Sequence, residues 1–118
     1  MRSKTIILIA IAVALAAALA GAEEKFGVKV YPDAKEVPSA EKALANLLHT
    51  TAGCYRTNDS MEKVAAFYRH QPGMTLASRT DILFEFTGKG VKVTINSPWV
   101  DVTDYSTKKD TLITIERQ

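Results

Sequence analysis

The stretch Ile82-Leu83-Phe84-Glu85-Phe86-Thr87-Gly88-Lys89-Gly90-Val91-Lys92-Val93-Thr94-Ile95-Asn96 decides the fold. Side chains alternate between the two faces of a strand, so Ile82, Phe84 and Phe86 share one face, with Glu85 and Thr87 on the other. Val91, Val93 and Ile95 repeat the pattern against Lys92, Thr94 and Asn96. Gly88-Lys89-Gly90 is a tight connection of hairpin type. An antiparallel hairpin with one apolar face needs a layer to cover that face, and the rest of the chain supplies it.

Working outward, Thr111 to Glu116 (TLITIE) reads as the last strand and Met74 to Ser78 as one preceding the hairpin. Phe26 to Tyr31 (FGVKVY) alternates and stops at Pro32, and Pro32-Asp33-Ala34 reads as a turn. Two segments have helical spacing. From Ser39 to Thr50, Ala40, Ala43, Leu44, Leu47 and Leu48 form a stripe, with Pro38 at its start and Gly53 as terminator. From Met61, the residues Val64, Ala65, Phe67 and Tyr68 form a second stripe, with Asp59 as cap, Glu62 completing a capping box and Pro72-Gly73 as the stop. The expected fold is α+β, with two helices packed on one face of a small four- to five-stranded antiparallel sheet. Val64, Phe67, Tyr68, Leu47, Phe84, Phe86, Val93 and Ile95 form the expected core. Ser97 to Asp110 is left as a loop, long for so small a domain, and long loops often carry function.

The N-terminus has a different composition. Arg2 and Lys4 precede an unbroken run of small or apolar residues from Ile6 to Ala22, and Ala20-Gly21-Ala22 matches a small-x-small cleavage site before Glu23 and Glu24. That layout is a secretory signal peptide over residues 1–22, followed by a single domain over 23–118. The alternative is a retained anchor, but the run spans only roughly 25 Å of a ~30 Å hydrocarbon core. The expected destination is therefore periplasmic or secreted, with no stable membrane insertion after cleavage.

The whole chain of 118 residues has 15 Lys+Arg against 13 Asp+Glu. Cleavage removes Arg2 and Lys4 and leaves a formally neutral body. Such a body lacks the electrostatic footprint of a nucleic-acid binder or of a polybasic membrane module. The one cysteine, Cys54, excludes an intramolecular disulfide, and no C-x-x-C occurs.

Two short segments carry a resemblance. Val30-Tyr31-Pro32-Asp33-Ala34-Lys35, and Tyr55-Arg56-Thr57-Asn58-Asp59-Ser60 running into Val64, Phe67 and Tyr68, resemble a loose group of small exported bacterial proteins. In these a "YP-x-A" segment precedes a "T-x-D-S" cap, a helix ending in "FY" and a short antiparallel sheet. The resemblance implies an α+β fold and a cell-envelope destination, and it transfers no catalytic residue.

The chemistry-bearing side chains are few. His49 and His70 each fall near a helix end, where imidazole meets the negative pole of the helix dipole. No Ser-His or Cys-His signature accompanies them. Cys54, His70 and Met74 are the soft donors that a metal- or thiol-dependent envelope protein would use, which makes that class the alternative reading. Asp101, Asp104 and Asp110 match no calcium loop, and no phosphate-cradling glycine loop exists. The leading expectation is a non-enzymatic binding or accessory module, needing no cofactor, whose partner is a protein or small ligand of the cell envelope. Trp99, Asp101 and Tyr105 in the 97–110 loop are its candidate contact residues, because aromatics with polar tips recur at interfaces; the alternative for Trp99 is that it folds back to cap the sheet end.

Overall fold

The computed structural model describes residues 23–118; the expected leader, 1–22, lies outside the described residues. The chain runs β1 (Glu24–Lys25), β2 (Val28–Lys29), β3 (Lys35–Glu36), α1 (Pro38–Leu48), β4 (Ala52–Thr57), α2 (Met61–Arg69), β5 (Thr75–Arg79), β6 (Leu83–Gly88), β7 (Val91–Asn96), β8 (Trp99–Asp101), β9 (Ser106–Lys108) and β10 (Thr111–Arg117). Among the described residues no helix is long and apolar enough to cross a membrane.

The main sheet is antiparallel and six-stranded, in the order β3-β4-β10-β7-β6-β5, and two small two-stranded sheets, β1-β2 and β8-β9, flank it. This corrects the expected four- to five-stranded sheet, and the described residues are mostly sheet, with 44% of them in strands against 21% in helices. The extra strands have physical causes. β4 was hidden by Gly53, which read as a helix terminator. A Cβ at Gly53 would stand 2.9 Å from Lys25 Cγ and from Tyr55 Cε2, so glycine is there for close approach within a strand. β3 is two residues long at the sheet edge, too short to show a period.

β6 and β7 pair as their alternation requires, Phe84 opposite Ile95 and Phe86 opposite Val93. β10 then lies beside β7, with Ile113 opposite Ile95 and Ile115 opposite Val93. These side chains, with Tyr55 of β4, form one fully apolar face, and Phe86, Val93, Ile95, Ile113 and Ile115 are wholly buried in it. α2 covers this face with Met61, Val64, Ala65 and Tyr68. Val28, Val30, Tyr31 and Met74 close its margin. The cap of α2 is Ser60, one residue beyond the expected Asp59: the Ser60 hydroxyl accepts from the Lys63 N–H at 3.2 Å. Asp59 is engaged elsewhere, and its carboxylate accepts from the Tyr31 hydroxyl at 2.6 Å. Tyr31 also meets Phe67 edge-on, with ring centroids 5.4 Å apart. The "YP-x-A" and "T-x-D-S" segments are thus two halves of one contact.

α1 does not share that layer, and the expectation of both helices on one face fails. Successive residues of a strand face opposite ways, so Cys54, Thr94, Leu112 and Thr114 lie on the reverse side from Tyr55, Val93 and Ile113, and α1 lies over them. The inner face is already filled by α2 and the β1–β2 hairpin. Leu47, placed in the expected core, is 69% exposed, and no residue of α1 is buried. Two boundaries also move. Phe26-Gly27 is the turn of the β1–β2 hairpin, so the expected Phe26–Tyr31 strand is shortened to Val28–Lys29. The expected 97–110 loop contains the β8–β9 hairpin, in which Trp99 pairs with Lys108 and Asp101 with Ser106.

Candidate functional site

The outer face is built from three elements. Its floor is a patch of small and apolar strand residues in register: Cys54 beside Thr114, Thr114 beside Thr94, and Leu112 beside Asn96. Its first wall is α1. Pro38 opens that helix at a position where its missing N–H costs nothing. Glu41 stands in the first turn, where a carboxylate suits the positive pole of the helix. His49 closes it in the left-handed conformation at φ 52°, with its N–H bonded to the Leu44 carbonyl.

The Glu41 carboxylate fixes α1 to the sheet. β3 ends at Glu36, so the Cys54 N–H that faces the edge finds no further strand there; Glu41 Oε2 accepts it at 2.9 Å. Burial raises the Glu41 carboxyl above the ordinary range; the Cys54 bond opposes the rise and the neighbouring Glu36 adds to it.

The second wall is the β8–β9 hairpin, anchored by its tryptophan. Trp99 is only 5% exposed, and its indole Nε1–H donates to Asp110 Oδ1 at 2.8 Å. The other carboxylate oxygen of Asp110 accepts from Arg56 Nε at 2.6 Å, and the Arg56 guanidinium lies 5.3 Å from the centre of the indole ring. Three side chains, from β4, from β8 and from the residue just before β10, thus lock the hairpin against the sheet.

Between the walls lies an open groove of about 400 Å³. Leu47 and Leu48 border it on the helix side, at 69% and 66% exposure, and Val100 and Val102 on the hairpin side, at 58% and 43%. Four exposed aliphatic side chains around one opening differ from the isolated surface leucines of ordinary domains. The floor is uncharged apart from Glu116, which is paired with Lys92 at 3.2 Å.

No protein-family model, curated protein or solved structure matches the chain.

The three expected contact residues do not converge. Trp99 is a wall of the groove, with its polar tip spent on Asp110. Asp101 serves the hairpin turn: one carboxylate oxygen accepts from the Thr103 N–H at 3.0 Å and the Thr103 hydroxyl at 2.6 Å. Those bonds lower its pKa from the usual carboxylate value. Tyr105 is 84% exposed in the same turn. The alternative set is also dispersed. Cys54 faces α1, Met74 belongs to the core beneath α2, and His70 Nδ1 lies 2.7 Å from the Ala66 carbonyl at the exposed end of α2. Among the described residues no group of three or more His, Cys, Asp or Glu is placed to hold a metal ion. The Cys54 thiol is wholly buried and pushed up to about 11, first by burial, while a Thr114 hydrogen bond lowers it and the carboxylates of Glu41, Glu116 and Glu36 raise it.

Leu47, Leu48, Val100, Val102 and Leu112 were not singled out as site residues. The signal was present in part, since Val100 and Val102 alternate as a strand does and Leu47-Leu48 continues the helical stripe past what a covered face needs.

Proposed function

We propose that this chain is a small exported, non-enzymatic binding module whose contact surface is the groove between α1, the outer sheet face and the β8–β9 hairpin. The observation that carries the reading is the convergence of Leu47, Leu48, Val100 and Val102 around an apolar space of about 400 Å³. Small-ligand sites are concave, mostly apolar and roughly 300–1,000 Å³ in volume, with a few polar groups to orient what binds. The hydroxyls of Thr94 and Thr114 and the Asn96 amide supply those groups here. Export rests on the leader, Arg2 and Lys4 followed by the apolar run to Ala22.

Binding is tested with an uncharged solvatochromic dye and a Leu47→Gln/Val102→Gln variant. Both positions are exposed, so the variant keeps the unfolding midpoint of the parent. Dye affinity falls at least fivefold if the groove is the site. A variant that binds the dye as the parent does would overturn the assignment. Export is tested by fractionating cells and sequencing the N-terminus of the recovered protein: the reading requires a chain outside the cytoplasm that begins at Glu23.

A further inference from the structure

We infer that the groove takes a single-chain amphiphile with a cationic head group, an inference that rests on the groove being the binding site. Size sets the first limit. At roughly 30 Å³ per non-hydrogen atom, the share of a water in the liquid, 400 Å³ holds on the order of a dozen such atoms. That is the size of one alkyl chain and too small for a two-chain lipid. Shape sets the second. The helix wall from Ala40 to Leu48 extends roughly 12 Å at the rise of an α-helix. An extended chain of about ten carbons has the same length, given bonds of ~1.5 Å.

Charge selects the head group. Glu116 is the one side chain charged at neutral pH that lines the groove among the described residues, and its partner Lys92 lies 3.2 Å away and is itself partly exposed. Glu41 reaches the floor through the Cys54 N–H, and Glu36 lies beside Glu41. The groups facing this end are therefore Glu36 of β3, Glu41 of α1 and Glu116 of β10, against Lys92 of β7 and Lys25 of β1. Acids outnumber bases. The field at the floor has the corresponding sign, since Glu41, Glu116 and Glu36 each disfavour a charged Cys54 thiolate. A carboxylate, sulfate or phosphate head would bring another negative charge to this end. An ammonium head can pair with Glu116 in place of Lys92, whose long chain is free to turn to water.

The probes are decylammonium, decyl sulfate and decanol, each below the concentration at which it self-associates. Trp99 is the only tryptophan and forms a wall of the groove, so its fluorescence reports occupancy. Far-UV circular dichroism checks that the fold persists. Decylammonium is expected to bind at least tenfold tighter than decyl sulfate, with decanol between them. Glu116→Gln should reduce that ratio to threefold or less, and Ala43→Phe, which fills the groove from its helix wall, should abolish binding of all three. Equal affinity for the three head groups, or tighter binding of the sulfate, would overturn the head-group inference and leave the groove reading standing. Decylammonium binding that survives Ala43→Phe would overturn the placement. Binding of the uncharged dye without any of the chains would overturn the single-chain inference. Failure of the dye as well would remove the groove reading with it.

Discussion

Trp99 is the residue on which a surface role and a structural role make opposite predictions. The sequence offers it as a contact residue or as a cap of the sheet end; it is 5% exposed and hydrogen-bonded through its Nε1 to Asp110. Trp99→Ala removes the indole from between Arg56 and the sheet, and truncation of a buried tryptophan costs about 3–5 kcal/mol, the transfer and cavity contributions together. The Asp110 carboxylate keeps its bond to Arg56 at 2.6 Å, so no buried charge is stranded and nothing larger should be added. At about 0.05–0.15 kcal/mol per residue, a domain of this size has about 5–14 kcal/mol in all. The substitution therefore removes about a fifth or more of it. Each kcal/mol moves the midpoint of so small a domain by about 4–8 °C, so the thermal midpoint should fall by about 12 °C or more. Tyr105→Ala is the control: at 84% exposure it should stay within about 0.5 kcal/mol of the parent. Both are measured by far-UV circular dichroism, because the fluorophore itself is removed. A Trp99→Ala protein that melts within 3 °C (about 1 kcal/mol or less) of the parent would refute the claim that this side chain anchors the hairpin.

Three further outcomes follow from the same geometry. Glu41→Ala leaves the buried Cys54 N–H without its carboxylate and should cost about 1–3 kcal/mol in urea unfolding, whereas Glu41→Gln retains an acceptor, relieves the crowding with Glu36 and should be neutral or stabilising; equal losses in both would show that charge, not the hydrogen bond, holds α1. Ser60→Ala should lower stability by about 1 kcal/mol through the lost cap of α2, and Asp59→Ala should act instead through Tyr31, so a double-mutant cycle of Asp59 with Tyr31→Phe should show coupling that one of Ser60 with Tyr31→Phe does not. Alkaline pH should destabilise the fold: Cys54 is raised from 9.0 to about 11 and Tyr31 from 10.0 to about 12, both first by burial, and Tyr55 and Tyr68 are raised as well. A raised folded-state pKa gives stability present in full below the unfolded value and lost as pH climbs through the folded one, so midpoints should hold to about pH 9 and fall between about 9 and 12. A midpoint unchanged up to pH 12 would contradict the burial of these groups.

The inner half of this molecule was legible because its residues state their own partners. Phe84, Phe86, Val91, Val93 and Ile95 alternate without interruption, and Met61, Val64, Ala65 and Tyr68 recur at helical spacing, so one apolar face meets another. β4 was not legible, because Gly53 is there to leave room for Lys25 and Tyr55, an approach that only the folded chain creates. The side taken by α1 was not legible either. Its stripe of Ala40, Ala43, Leu44, Leu47 and Leu48 records that it has an apolar face and is silent on which side of the sheet receives it. The anchoring of Trp99 was not legible, since its link to Asp110 and Arg56 joins residues far apart in the chain.

The outward-facing residues of the strands carry the missing information once the register is known. On β6 and β7 they include Glu85 and Lys92, side chains that belong in water. On β4 and β10 the central equivalent positions are Cys54, Leu112 and Thr114, all uncharged, with Arg56 and Glu116 towards the ends, and α1 lies over the centre. A strand pair uncharged at the centre of both faces is built to be covered twice. The second cover is incomplete, because α1 buries none of its residues and leaves its leucines facing a groove instead of a core. Packing alone would have favoured closing that space, since each aliphatic side chain taken from water contributes about 1.5–3 kcal/mol. That the leucines of α1 and the valines of the hairpin are held apart, by Glu41 on one side and by Trp99 with Asp110 on the other, is the physical basis for treating the space between them as a site.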